Sequence, residues 1–498
     1  MHIKLLYHSF FRREQSVNKK RNVIHREEII MSKKEVPDNR SFGFKDKIGY
    51  ALGDCGNDFT FILSSSFMLI FYSNVMGVDA WIGGVIMMAA RFIDAVTDVT
   101  MGQIVDRSKP TKNGKFRPWL KRMCIPVALC SFLIYQSALS GLSLGFKIAW
   151  MAVTYILWGS IFYTSINIPY SSMASAITED PTQRAQLSTF RTIGATIAGL
   201  LIGMIVPMTA YVYIDGVSTL SGTRMTIIAG IFSLCAIACY LLCYKLTTER
   251  VPVPQLTTKL DIPGLLKSLV TNRALLGIMG AAIALLLGQL GMGTMAGYLF
   301  TSYYNNGSAA SFASLFGCIG ILGICTTTAV PISRRIGKKE MSVISCAFSA
   351  LVYVVCLIMR PSSIWVYILF FTLAYIGLGF FNTVIWAMII DVIDDAEVKN
   401  GVREDGTIYS IYSFARKLGQ ALAAGISGIL VSAVGYTSAV AADPSAYPDV
   451  LNGLFNATCI VPIVGFSLVV VCLVFVYPLG KKRVDDNARI LAERRENR

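Results

Sequence analysis

The sequence predicts an all-α membrane protein of about twelve transmembrane helices, and three observations predict it. Of the 498 residues 54% are hydrophobic and only 15% are charged, too few charges for a soluble surface of this size. Apolar runs long enough to cross a bilayer, about 20 residues at 1.5 Å each, recur along the whole chain. Lysine and arginine gather in alternate connections: 107–122 holds seven, 245–273 five and 334–339 four, and Lys481, Lys482 and Arg483 open the C-terminal tail, whereas 435–452 holds none. That alternation is the positive-inside pattern and places both termini in the cytoplasm. The net charge of +15 is then a topology signal, and no nucleic-acid partner is expected.

The expected spans are 51–76, 80–106, 123–142, 149–176, 187–210 and 225–246, then 275–303, 312–332, 341–359, 364–391, 408–434 and 454–477. The polar break after Leu246 divides them six and six. The domain boundaries that follow are a cytoplasmic tail at 1–45, a six-helix bundle at 46–246, a cytoplasmic central loop at 247–272, a second six-helix bundle at 273–479 and a cytoplasmic tail at 480–498. Residues 1–30 are basic and polar, without the apolar core or cleavage site of a signal peptide. Codons for Arg26, Glu27 and Glu28 would be purine-rich and lie just before Met31, where a ribosome-binding site belongs, so the segment is expected to be a mis-assigned start.

All three histidines, His2, His8 and His25, lie in that segment. The membrane body therefore offers no histidine triad, metal site or proton relay, and carboxylates must carry any ion chemistry. Twelve cysteines form no Cys-x-x-Cys pair, and Cys235, Cys239 and Cys243, four apart on one helical face, read as small packing residues. No phosphate-binding Gly-x-x-x-x-Gly-Lys-Ser/Thr loop occurs, so neither ATP nor any other cofactor is expected beyond a coupling ion.

Taken in order, the first span carries Asp54, Asp58, Phe61 and Ser65 on one stripe, with Asp58 roughly 15 Å past Lys47. The second places Arg91, Asp94 and Asp98 inside an apolar run, at about 2.5 to 3.5 kcal/mol each near a bilayer centre. Asp94 and Asp98 are one turn apart on one face, so a single cation could sit between them. In the fourth span Ser160, Thr164, Asn167 and Ser171 share a face beside Tyr163 and Tyr170, either as a polar wall or as hydrogen bonds between packed helices. Arg191, in the cytoplasmic third of the fifth span, either faces a cavity or snorkels to headgroups.

The second half has few acids in its spans and supplies cations. Asn382 and Trp386, four apart on the tenth span, offer a hydrogen-bonding group and a stacking platform for a sugar ring, or a packed core. Asp391, Asp394, Asp395 and Glu397 end that span as a gate or as a solvated helix end. Lys417 lies about ten residues into the eleventh span, too deep to snorkel easily, and Arg416 points about 100° away, so only one of the two can face a central cavity.

Several motifs together carry a family resemblance: Asp94-x-x-x-Asp98, Gly102-x-x-x-Asp106-Arg107 and Gly114-Lys-Phe-Arg-Pro-Trp119, with Tyr50-x-x-Gly53-x-x-Gly-Asn-Asp58, Asn167-Ile-Pro-Tyr170, Arg191 and Arg416-Lys417-Leu-Gly. Over nearly the whole chain they resemble the glycoside-pentoside-hexuronide:cation symporters, the melibiose carrier group of the major facilitator superfamily. Pro331 to Lys339 echoes the loop motif at the corresponding place in the second half, as duplicated six-helix halves of the major facilitator fold imply. The resemblance makes Asp94, Asp98 and Thr164 cation-site residues, with Thr97 where the melibiose carrier has an amide. It makes Asp58, Arg191 and Lys417 residues of the sugar cavity or its charge network, and Asn167 and Ser171 replace an acid and a tryptophan of that carrier.

The function expected is a cation-coupled sugar symporter of a bacterial inner membrane, using Na⁺ or H⁺ to import a glycoside, pentoside or hexuronide by alternating access. Its partners are a small-molecule sugar, a monovalent cation and the lipid bilayer. Asp94, Asp98, Thr97 and Thr164 are the expected cation site, Na⁺ being held by Asp94 and Asp98. Asp58, Asn167, Tyr163, Arg191, Trp386 and Lys417 are the expected substrate site, and Asp106, Arg107 and Asp391 the expected gate. The alternatives are a polytopic membrane enzyme acting on lipid-linked sugars and a transporter-derived sugar sensor.

Overall fold

The computed structural model describes residues 40–251, 272–400 and 405–496. The segment expected to be a mis-assigned start, the three histidines and most of the central loop lie outside the described residues. The first half contains α1 (Phe44–Asn74), α2 (Ala80–Arg107), α3 (Arg117–Ile134), α4 (Leu144–Ile177), α5 (Pro181–Ala210), a hairpin of β1 (Tyr211–Ile214) and β2 (Val217–Leu220), and α6 (Gly222–Leu246). The second contains α7 (Arg273–Tyr303), α8 (Gly307–Ile336), α9 (Lys338–Met359), α10 (Ile364–Asn400), α11 (Asp405–Ala433) and α12 (Pro448–Val476), followed by an amphipathic α13 (Lys481–Glu496).

Nine of the described helices are long and apolar enough to cross a membrane on their own composition. The other three spans, α1, α3 and α11, depend on their neighbours. All three carry charge: α1 holds Asp46, Asp54 and Asp58, α3 holds Arg117, Lys121 and Arg122, and α11 holds Arg416 and Lys417. These helices gain their place by packing and ion pairing inside the bundle, where charge is compensated, rather than by partitioning into lipid.

The third span is shifted from its expected position, beginning six residues earlier and ending at Ile134. Its start is set by the Gly114 motif. The Glu249 carboxylate accepts from the backbone N–H groups of Lys115, Phe116 and Arg117 at 2.7, 2.9 and 2.7 Å, and Pro118 occupies the first turn, so the helix begins on a bound anion. Gly114 has φ of 102°, and a Cβ there would lie 2.5 to 2.7 Å from that carboxylate. Burial pushes the Glu249 carboxyl above its ordinary value, against the three N–H groups that pull it down.

The hairpin was not expected in an all-α chain. It turns at Asp215 and Gly216, with φ of 50° and 83°, the positive values a tight two-residue hairpin loop requires.

One apolar cluster lies wholly in the second half, the other fills the first half and continues into the second through Met295, Tyr298, Val431 and Tyr436, and the halves meet where α2 runs along α11, α5 along α8 and α1 along α7. At the end far from the described termini the contact is close. Gly84 of α2 lies against Gly425 and Gly428 of α11, and the Trp81 amide donates to Ser432 Oγ at 2.9 Å. Ser73 and Tyr298 share a hydrogen bond of 2.8 Å. The hairpin holds Asn305 of the second half, whose amide donates to the Gly216 carbonyl at 2.7 Å and accepts from the Ser218 N–H at 2.5 Å.

The terminus-bearing end differs. There each half is tied to itself: buried Asp46 binds Arg40 at 2.8 Å and Arg250 at 3.0 Å, and buried Asp395 binds Lys399 at 2.5 Å and Arg483 of α13 at 3.2 Å. Hydrogen bonds and the Lys417–Asp98 ion pair join the halves at the level of Asp98 and beyond it toward the far end.

Candidate functional site

The two carboxylates of α2 stand at mid-helix, where α1, α4 and α11 converge. Asp94 is 4% exposed. Arg91, one turn earlier on the same helix, donates to it at 2.9 Å, and that guanidinium is in turn stacked over Phe61 at 5.2 Å and Tyr155 at 5.8 Å. Ser160 of α4 donates to the other Asp94 oxygen at 2.5 Å. Asp98 accepts from the Thr164 hydroxyl at 2.9 Å and receives the ammonium of Lys417 from α11.

Each acid therefore has one cation and one hydroxyl. The partners differ in origin: Arg91 belongs to the same helix as Asp94, while Lys417 crosses from the opposite half. The exposures differ too: the Asp98 side chain is 22% exposed and that of Asp94 5%, so Asp98 is the more accessible of the two. The segment Leu157–Tyr163 of α4 is wound as a π-helix, a local widening frequent at functional sites, and it brings Ser160 and Thr164 to the two acids.

Some expected residues fall elsewhere. Thr97 turns its hydroxyl back to the carbonyls of Ile93 and Asp94, both at 3.2 Å, the usual habit of a threonine inside a helix, and Ser160 takes the place expected for it. Arg191 pairs with Asp54 at 2.9 Å and lies over Tyr170 at 5.4 Å; Asp58, one turn along α1, is not its partner. Asn167 accepts from Asn57 at 3.4 Å, and Asn57 is itself held by the Tyr240 hydroxyl at 2.9 Å. Tyr163 stacks on Phe61 with centroids 5.9 Å apart. Trp386 is not an open platform on both faces, because the Arg416 guanidinium covers one at 5.4 Å.

The expected gate residues are not brought together. Asp391 takes Lys338 at 2.6 Å within its own half, the Asp106 carbonyl accepts from Lys115 at 3.0 Å, and Arg107 is exposed. Asp391 and the Asp106 carbonyl are thus satisfied by partners within their own halves.

Just beyond the paired charges, toward the far end, lies a small cavity between the halves. Phe61, Ser65, Arg91 and Tyr155 line it from the first half, and Thr294 and Gln420 from the second. Among the described residues no three His, Cys, Asp or Glu side chains gather as a metal centre. What the site presents is two acids, two hydroxyls and two cations.

Residues 49–481 match the family described as MFS/sugar transport protein. The chain belongs to that family. It is 30% identical over 451 residues to the glucuronide carrier protein homolog of Escherichia coli strain K12, covering 89% of this chain and 94% of the relative. It is 30% identical over 437 residues to the isoprimeverose transporter of Lactiplantibacillus pentosus, covering 87% and 88%. Among solved structures, a bacterial homolog of the human lysosomal transporter Spinster superposes with a TM-score of 0.63 at 11% identity, over 87% of this chain and 98% of that one; at that identity the likeness is one of fold.

The glycoside-pentoside-hexuronide resemblance and the all-α major facilitator fold are thereby borne out. This family member is a sugar transporter rather than an enzyme, a multi-pass protein with a lipid environment and a small-molecule sugar as substrate. Three residues of its charge network were missed as site residues, though a signal for each was present. Arg91 precedes Asp94 by three residues and Ser160 precedes Thr164 by four, both neighbouring positions on a helix. Asp54 precedes Asp58 by four, and only the approach of α5 decides which of the two meets Arg191.

Proposed function

We propose that this sugar transporter is a cation-coupled importer of a bacterial plasma membrane, with both termini cytoplasmic. One observation carries the reading: Lys417, a cation of the second half, sits on Asp98 of the first. In that position the ammonium fills the place a coupling cation would take. When Na⁺ or a proton neutralises Asp98, the attraction that holds Lys417 there is lost, and the second half is released to rock against the first. Binding of cation and of sugar then favour each other because both act on the same inter-half contact.

Asp94 remains committed to Arg91 and Ser160. It supplies the buried negative field that fixes Ser160 and, through α4, the approach of Thr164 to Asp98. The oxygens of Asp98 and Thr164 suit a hard monovalent cation. The close contacts between the halves at the far end support a carrier that alternates access by rocking one half against the other.

The test is radiolabelled sugar uptake into energised vesicles with Na⁺, Li⁺ or only H⁺ present, beside counterflow in de-energised vesicles. The expected result is accumulation that depends on one of these gradients, with that ion lowering the apparent KM. Equal accumulation with every gradient collapsed would exclude symport. Binding with no counterflow would favour a sensor, and turnover of a lipid-linked sugar in detergent would favour a membrane enzyme.

A further inference from the structure

We infer that Arg416 selects the acidic group of the transported sugar, an inference that rests on the transport reading above. Across the membrane-deep turns, the first half carries Asp54, Asp58, Asp94 and Asp98 against Arg91 and Arg191, and the second half carries Arg416 and Lys417. Three pairs are made, Arg91 with Asp94, Arg191 with Asp54 and Lys417 with Asp98. Two charges are left over. Among the described residues neither Asp58 nor Arg416 forms an ion pair with another, and they belong to opposite halves.

Neither lines the small cavity itself, but each lies on the helical stripe of residues that do. Asp58 lies one turn from Phe61 on α1 and Arg416 one turn from Gln420 on α11, and Phe61 and Gln420 line it. Both are displaced from the lining by one turn toward the terminus-bearing end. Asn382, one turn before Trp386, donates to Gln289 of α7 at 3.0 Å, and Gln289 precedes Leu290 in the cavity wall.

The way Arg416 is held suits anion recognition. Its guanidinium carbon lies 5.4 Å from the Trp386 ring centroid, a cation–π contact that engages the charge without using its N–H donors. A guanidinium held by this contact, with its fork uncommitted, matches a carboxylate or sulfonate bidentately. Asp58 on the opposite side repels such a group and accepts sugar hydroxyls, so a hexuronide or sulfo-sugar would be oriented acid toward the second half and hydroxyls toward the first. The two relatives above carry in their names a glucuronide, which bears a carboxylate, and isoprimeverose, which bears none, at the same 30% identity. Likeness does not choose between these substrates; the uncommitted Arg416 does.

The experiment is counterflow in proteoliposomes with methyl glucuronide and methyl glucoside, for the wild type, Arg416→Gln and Arg416→Lys. The quantity read is the ratio of kcat/KM for the acid to that for the neutral sugar, which a general loss of folded protein leaves unmoved. The ratio is expected to exceed about 10 in the wild type, to fall by about tenfold or more in Arg416→Gln, and to be partly kept in Arg416→Lys, which retains charge but not the fork. An unchanged ratio in Arg416→Gln, or a wild type that prefers the neutral sugar, overturns the assignment while leaving sugar transport standing. A wild type that exchanges neither sugar, nor any glycoside or pentoside offered with each ion, fails the transport reading itself.

Discussion

The two halves share a helix count and a packing scheme but divide the membrane-deep charge unequally. The first half holds the acids and corrects part of its excess internally through Arg91 and Arg191; the second holds two adjacent cations and no acid among the same turns. Neither half is neutral alone, and the Lys417–Asp98 contact is the place where one excess meets the other. The inequality teaches how, in the proposed coupling, an ion and the sugar would act on one equilibrium. There an ion that replaced Lys417 on Asp98 would change the attraction between halves by a large step at low dielectric, whereas a symmetric distribution would leave nothing for a monovalent cation to switch.

The largest break in this comparison is expected from Asp94→Asn. It leaves Arg91 buried without its carboxylate, at about 3 to 5 kcal/mol, so both the melting temperature in detergent and uphill accumulation should be lost. A variant that melts like the wild type would mean Arg91 has found another partner. Asp98→Asn should separate the two functions instead. Its partner Lys417 can retreat toward the more exposed end, so the protein folds, exchange of sugar persists, and accumulation against a gradient falls to background. If Asp98→Asn still concentrates sugar and the gain collapses when the Na⁺ and proton gradients are dissipated, coupling resides elsewhere.

Lys417→Ala tests the same contact from the other half. Membrane insertion should be normal and the transport rate reduced by about tenfold or more, a loss worth about 1.4 kcal/mol or more. Wild-type kinetics would make the lysine a structural residue. Gly428→Val addresses the sealed end, where a Cβ would press on the backbone of Ala80 and Gly84. The expected effect is a several-fold rise in labelling of a Ser73→Cys variant by a membrane-impermeant maleimide from outside, and no change in labelling places the seal at other contacts. The smallest effect is expected from Glu249→Gln, which weakens three charge-assisted hydrogen bonds at the start of α3 by about 2 kcal/mol in total. Its melting temperature should drop by a few degrees while sugar exchange continues, and a loss of exchange with an unchanged melting temperature would make the clamp part of the transport cycle.

By itself, the amino-acid sequence determined the number of spans, their division six and six, and the identity of the costly residues. Apolar length and the alternation of basic loops are local quantities, legible without any neighbour. The pairing of Asp94 and Asp98 on one face was equally legible, because helical periodicity alone places residues four apart together. The early start of α3 was not, since it depends on Glu249, more than a hundred residues away, offering a carboxylate to Gly114 and the turn that follows. Only the tertiary structure decided that Arg191 meets Asp54 rather than Asp58, that Lys417 rather than Arg416 reaches the acids, and that Ser160 replaces Thr97 beside them. The physical reason is common to all three. Residues one turn apart, or neighbours 100° apart on a helix, are near equivalents in sequence, and the choice between them is made by the rotation of one helix against another, which packing of the whole bundle sets.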